Sequence, residues 1–179
     1  MKKSITMFLL IDIGNTKTKW MLRDHKEVYK QDSFLTEDID QDHFVFDVKI
    51  QKILISNVAG FEKEAILKIK LKKFSCPIEF IKPQKTFGNL INNYKDFNQL
   101  GVDRWLSALA NTQANQRALI IVTMGTAVTI DLMTFDKKDK KYLFEGGVIL
   151  PGLYLTKDAL SRNASNLSYA EGCFNFPPT

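Results

Sequence analysis

Met7-Phe8-Leu9-Leu10-Ile11-Asp12-Ile13-Gly14-Asn15-Thr16-Lys17-Thr18-Lys19 decides how this chain is read. A continuous apolar run closed by Asp12 to Thr16 is a buried strand entering a tight polar turn, and Thr18 to Arg23 resumes as a second, alternating strand. The same pattern returns later. Ala118 to Val122 is apolar, Thr123-Met124-Gly125-Thr126-Ala127 is a turn of small residues, and Val128 to Met133 continues as a strand. A strand, Gly-Thr turn, strand unit that occurs twice, with mixed strands and helices between, predicts an α/β chain built from two related halves.

The stretch between the two units fills in the expected order. A short strand is expected over Glu27 to Lys30, a loop or short helix over Thr36 to Asp42, and a buried strand over Lys52 to Asn57, bounded by Gly60. Phe61, Ala65, Ile66, Ile69 and Phe74 recur at helical spacing with lysines opposite, predicting a peripheral helix with those five residues inward. Pro77 to Ile81 reads as a strand. Pro83 to Asn98 is polar and aperiodic, a loop long enough to suggest function. A helix follows over Asp103 to Gln113, with Leu106, Leu109 and Ala110 on its inner face and Asp103 in its first turn, where an acid complements the helix dipole. Tyr142 to Leu150 gives a strand ending at Pro151-Gly152, and Tyr154 to Arg162 a helix.

Composition narrows the function classes. The 179 residues are 45% hydrophobic and 25% charged, a globular balance, and no apolar run approaches the ~20 residues of a membrane-spanning helix. Met1-Lys2-Lys3-Ser4 before Met7 to Ile11 imitates a signal peptide, but Asp12 ends the run and no small-residue cleavage site follows. Cys76 and Cys173 form neither a disulfide framework nor a metal knuckle, which points to a reducing cytoplasm. There the triplets Asn163-Ala164-Ser165 and Asn166-Leu167-Ser168 carry no glycan. The formal charge of +5 suits an anionic ligand. Its lysines are scattered, and the alternating Asp136 to Lys141 reads as solvated surface, so no nucleic-acid partner is expected.

Two places can carry chemistry. A Gly-containing turn between strands presents backbone N–H groups to phosphate, and the first turn adds Asn15, Thr16 and Thr18 as hydrogen-bonding groups, Lys17 and Lys19 as cations, and Asp12 as an oxygen ligand for Mg²⁺. Asp, Gly and Asn are equally what a plain hairpin turn uses. The second turn, with Thr126, tips the balance toward a cleft, which needs two walls. Neither G-x-x-x-x-G-K-[ST] nor G-x-G-x-x-G is present, which removes the P-loop and the dinucleotide fingerprint. His25 and His43 lack metal-ligand partners at useful spacing and read as surface residues. In Gly101-Val102-Asp103-Arg104-Trp105, Asp103 can accept a hydroxyl proton and Arg104 can clamp a carboxylate. The alternative is a first-turn acid beside a surface arginine.

Taken in order, Asp12-Ile13-Gly14-Asn15-Thr16, Phe87-Gly88-Asn89 with Tyr94, Leu100 to Trp105, Gly125-Thr126-Ala127-Val128-Thr129-Ile130-Asp131 and Gly146 to Leu153 resemble the type III pantothenate kinases. The resemblance implies duplicated actin-like ATPase (ribonuclease H-like) domains, the first over residues 1–115 and the second begun over 116–179. It implies ATP-dependent phosphorylation of pantothenate, the first step of coenzyme A synthesis, by a homodimer. The matching positions make Asp103 the general base, Asp12 to Lys19 with Thr126 the ATP site, Asp12 the Mg²⁺ ligand, and Tyr94, Gly101, Val102, Asp103 and Arg104 the pantothenate site. The family usually has Asp at the position of Thr123, where it holds K⁺ or NH₄⁺, so an altered cation dependence is expected. Phe97 stands where Pro is common. Family members run on beyond the helix after Pro151, so the second domain is expected to be incomplete. The competing expectation is a weak or inactive accessory protein that binds nucleotide or pantothenate.

Overall fold

In the opening stretch, alternate residues take opposite sides of a strand. In the computed structural model, which describes residues 7–113 and 116–164, β1 (Met7–Ile13) buries Met7, Leu9, Ile11 and Ile13 and turns Leu10 and Asp12 to its other face. β1 pairs antiparallel with β2 (Lys17–Arg23), and β2 with β3 (Val28–Leu35). Its other edge pairs in parallel with β4 (Ile50–Asn57), and β4 with β5 (Ile78–Phe80). The order is β3-β2-β1-β4-β5, with only β2 reversed, which is the ribonuclease H-like arrangement.

Helix α1 (Phe61–Leu71) lies between β4 and β5 in the chain; Ile66 and, just beyond the helix, Phe74 pack against the core as expected, but the rest of the inward face differs. Leu67 and Leu71 are fully buried, whereas Phe61 and Ile69 are 78% and 70% exposed. Apolar residues at 61, 65, 66, 67, 69 and 71 offer two stripes, and contact with the sheet selects between them. The core of this half joins Leu67 and Leu71 to Leu9, Ile11, Ile13, Trp20, Ile53 and Ile55. β3 also runs further than the expected Glu27 to Lys30, because β2 templates it over its whole length.

The stretch from Pro83 to Asn98 is not the open loop expected of it. It folds as a hairpin of β6 (Thr86–Phe87) and β7 (Leu90–Asn92), then a short 3-10 turn over Phe97–Gln99. Helix α2 (Val102–Ala110) follows, then the meander β8 (Leu119–Met124), β9 (Ala127–Asp136) and β10 (Lys141–Pro151), and helix α3 (Leu153–Asn163). β7 joins β10 in parallel, giving a second sheet of order β6-β7-β10-β9-β8. The chain therefore enters the second sheet at β6. Local polarity hid β7, whose Leu90 and Asn92 are nevertheless fully buried.

On α2 the buried apolar residues are Val102, Trp105 and Ala108, while Leu106 and Leu109 are half-buried and Ala110 is exposed. Trp105 sets this rotation. The largest residue in the helix occupies the second core, with Leu90, Leu100, Met133, Tyr142 and Phe144. β8, β9 and β10 repeat the antiparallel meander of β1, β2 and β3. The edge of β8 that would correspond to the β4 side of β1 takes no strand among the described residues, and Ile120, Val122 and Met124 are 70%, 49% and 79% exposed there. No described helix is long and apolar enough to cross a membrane. Cys173, the Asn166-Leu167-Ser168 triplet and the closing Phe176 to Thr179 lie outside the described residues.

Candidate active site between the two sheets

The free face of the first sheet, α2 and the second sheet enclose a cleft of about 880 Å³. Asp12 enters it from the C-terminal end of β1, exposed and in register with Lys19 on β2 and Ser56 on β4. Asp103 and Arg104 enter from the first turn of α2, and Thr123 and Thr129 from the second sheet. One cavity thus holds the expected acid of the first turn, the expected base and the expected clamp.

The first turn is tight. The Gly14 N–H donates to the Lys17 carbonyl at 3.1 Å, and a Cβ on Gly14 would stand 3.0 Å from that oxygen. Asn15, Thr16 and Lys17 are exposed around it. Thr18 is not available in the same way: it is fully buried, its hydroxyl hydrogen-bonded to that of Thr36, which donates in turn to the Gly14 carbonyl. Ile13 lies in the core and offers backbone only, its carbonyl already accepting from the Val58 N–H. Both residues brace the turn.

The second turn meets the first. The Thr16 and Thr126 hydroxyls are hydrogen-bonded at 2.8 Å across 110 residues of chain. Gly152, just before α3, donates its N–H to the Thr126 carbonyl, and a Cβ there would stand 2.2 Å from the Gly125 carbonyl, so only glycine fits. The duplicated turns read from the sequence are neighbours in space.

Around α2, Asp103 is exposed and Val102 is buried. A Cβ on Gly101 would stand 2.5 Å from an Asp103 carboxylate oxygen, so glycine leaves that carboxylate its place. Arg104 is not a surface residue: it is buried, and its guanidinium donates through Nε at 3.0 Å and through Nη2 to the carboxylate of Asp131 on β9. Burial works to lower the arginine pKa, but Asp131 and the nearby Tyr94 phenol outweigh it, so the net shift is upward and Arg104 stays charged. Tyr94 itself lies against Gly146, where a Cβ would stand 3.3 Å from its ring.

Three residues escaped the sequence reading of roles. Asp131 is the buried partner just described. Ser56 and Thr129 are buried in the cleft wall with hydroxyls that have no hydrogen-bond partner among the described residues. Buried hydroxyls are ordinarily satisfied, so two orphans in one cleft mark surface prepared for a ligand. A signal for Thr129 and Asp131 existed: both fall on the inward phase of a strand that also carries Met133. For a divalent cation, Asp12 beside the Ser56 hydroxyl is a suitable all-oxygen donor set. For a monovalent cation at Thr123 the residues do not fit. Thr123 brings no charge, Asp131 is engaged by Arg104, and no group of three His, Cys, Asp or Glu converges among the described residues.

Two antiparallel meanders whose Gly- and Thr-containing turns meet give an actin-like, sugar-kinase-like α/β fold. A family model described as type III pantothenate kinase matches residues 8–173. The type III pantothenate kinase of Methylobacillus flagellatus is 31% identical over 175 residues, covering 97% of this chain and 68% of its own. That of Acinetobacter baumannii is 33% identical over 174 residues, covering 93% and 68%. The chain belongs to the type III pantothenate kinase family. Among solved structures, an Aquifex aeolicus member of the Ppx/GppA family superposes with a TM-score of 0.45 at 11% identity, covering 89% of this chain and 54% of that one. A putative N-acetylglucosamine kinase from Porphyromonas gingivalis does so at 0.41 and 15%, covering 79% and 47%.

Proposed function

We propose that this chain transfers the γ-phosphoryl group of ATP to the primary hydroxyl of pantothenate, forming 4'-phosphopantothenate at the entry to coenzyme A synthesis. The observation that carries this reading is the convergence of Asp12, Asp103 and Arg104 on one cleft between the duplicated sheets. Gly14 to Lys17 and Thr126 hold the phosphates from the two facing turns, with Lys19 beside Asp12 on the neighbouring strand. Asp12 is the ligand for Mg²⁺, which offsets phosphate charge. Tyr94, Gly101, Val102 and Arg104 shape the pantothenate end, where the positive guanidinium suits the substrate carboxylate.

Asp103 aligns the hydroxyl and accepts its proton as the new O–P bond forms and the bond from γ-phosphorus to the β–γ bridging oxygen breaks, releasing ADP. Phosphoryl transfer depends mainly on alignment and charge stabilisation, so an exposed carboxylate that can reach the hydroxyl suffices. The reading includes a cytoplasmic homodimer.

A coupled assay of ADP release with ATP, Mg²⁺ and pantothenate tests this, and pantothenate-dependent turnover is the expected result. Binding of ATP or pantothenate without turnover would instead support the accessory role. Thr123 adds a second expectation: activity without K⁺ or NH₄⁺ is within about twofold of activity with it, and Thr123→Asp introduces stimulation by those ions. Strong K⁺ activation of the unmodified protein would refute the assignment.

A further inference from the structure

We propose that Asp131 is a positioning residue for the acceptor site: it fixes the Arg104 guanidinium so that the donors it leaves unused meet the substrate carboxylate. The inference rests on the pantothenate reading above and extends it to a residue with no role there. Asp131 is 2% exposed and lies on β9, whereas Arg104 is 8% exposed and lies on α2, so the pair ties the helix that presents Asp103 to the second sheet. Asp131 accepts from both Nε and Nη2 of Arg104, the two-point contact that orients a planar guanidinium as well as neutralising it. The Tyr94 phenol also lies near the guanidinium and favours its charged form.

Stability alone is a poor account of this pair. A buried ion pair is expensive to desolvate, and apolar residues of similar volume commonly serve a core as well or better. Here the pair is placed at the wall of an open cleft: Arg104 lines it, one residue from Asp103, and Thr129, two residues before Asp131 on the same strand face, lines it too with its orphan hydroxyl. The other strand is shaped around the carboxylate. A Cβ on Gly147 of β10 would stand 2.4 Å from Asp131 Oδ1, so β10 closes directly over the group that holds the arginine. On the far side Tyr94 packs against Gly146, the neighbouring glycine. Two consecutive glycines thus let β10 accommodate both partners of Arg104.

The test is steady-state kinetics with each substrate varied in turn, on the unmodified protein, Asp131→Asn and Asp131→Glu, with thermal melts of all three. D131N keeps the shape and removes the charge; its KM for pantothenate is expected to rise at least about tenfold, with KM for ATP within about twofold. D131E restores the charge on a longer arm and is expected to recover part of the loss. A melting temperature that falls while both KM values hold would reduce Asp131 to a structural role and overturn the proposal. Equal rises in both KM values would overturn it too. If D131N does not fold, D131E alone decides between a selective rise in pantothenate KM and none. Absence of turnover by the unmodified protein would instead sink the pantothenate reading itself.

Discussion

Asp103→Asn is expected to lower kcat for pantothenate phosphorylation by about 10²- to 10⁴-fold, the usual scale for removing a general base, with the pantothenate KM changed far less. The substitution keeps the side-chain volume and acts at an exposed position, so the protein should remain folded. Its cost to the fold is the acid at the start of α2, worth about 0.3–1 kcal/mol against the helix dipole. Turnover is followed by ADP release, and folding by a circular dichroism melt. Asp103 is exposed, whereas Arg104, one residue on, is built into the second half. Unchanged turnover would remove Asp103 from the chemistry.

Gly147→Ala is the substitution with the largest structural effect expected. Gly147 pairs with Asp131 across β9 and β10, and a Cβ on it would stand 2.1 Å from the Ile130 carbonyl oxygen and 2.8 Å from the Asp131 Cα. Both are backbone atoms, so no side chain can swing aside, and the two strands must separate locally. Overpacking of this kind costs about 1–3 kcal/mol, and the clash with backbone puts this site at the upper end. For a chain of this size the melting temperature should drop by roughly 5–10 °C. Because the strand that must shift carries Asp131, pantothenate affinity should weaken in parallel. A melting temperature within about 2 °C of the unmodified protein would contradict the packing described here.

The fold was legible wherever burial is periodic along the chain. The strand of Met7 to Ile13 announces itself in this way, whereas its repeat at Leu119 to Met124 was legible as an apolar run although none of its residues is fully buried, and the pairing of two Gly-Thr turns follows from the repeat. Spacing did not resolve which stripe of α1 faces inward, since Ile69 and Leu71 are equally apolar and only the sheet distinguishes them. Nor did it show β7. Asn92 is buried there because its amide donates to the Phe97 carbonyl and its side-chain oxygen accepts from the Tyr94 N–H. A polar residue satisfied by its neighbours looks, in sequence, like a loop residue.

The site was legible as motifs and incomplete as geometry. Asp12, Asp103 and Thr126 stand out because their turns and helix start are local signals. Thr18 seemed equally exposed to chemistry, yet the strand phase that buries Trp20 and Leu22 buries Thr18 with them. Arg104 read as either clamp or surface because its partner Asp131 is distant in sequence, and no local pattern encodes a contact across 27 residues.

The outer edge of β8 governs how the protein behaves when concentrated. A strand without charge or proline, carrying Ile120, Val122 and Met124 in the open, and with an edge that takes no strand among the described residues, offers backbone to any second strand that collides with it. Purified alone, the chain is expected to show growing particle size by light scattering as concentration rises, with little relief from added salt, since the attraction is apolar. A lysine at Val122 should suppress that growth without altering turnover, turning a sticky preparation into a tractable one.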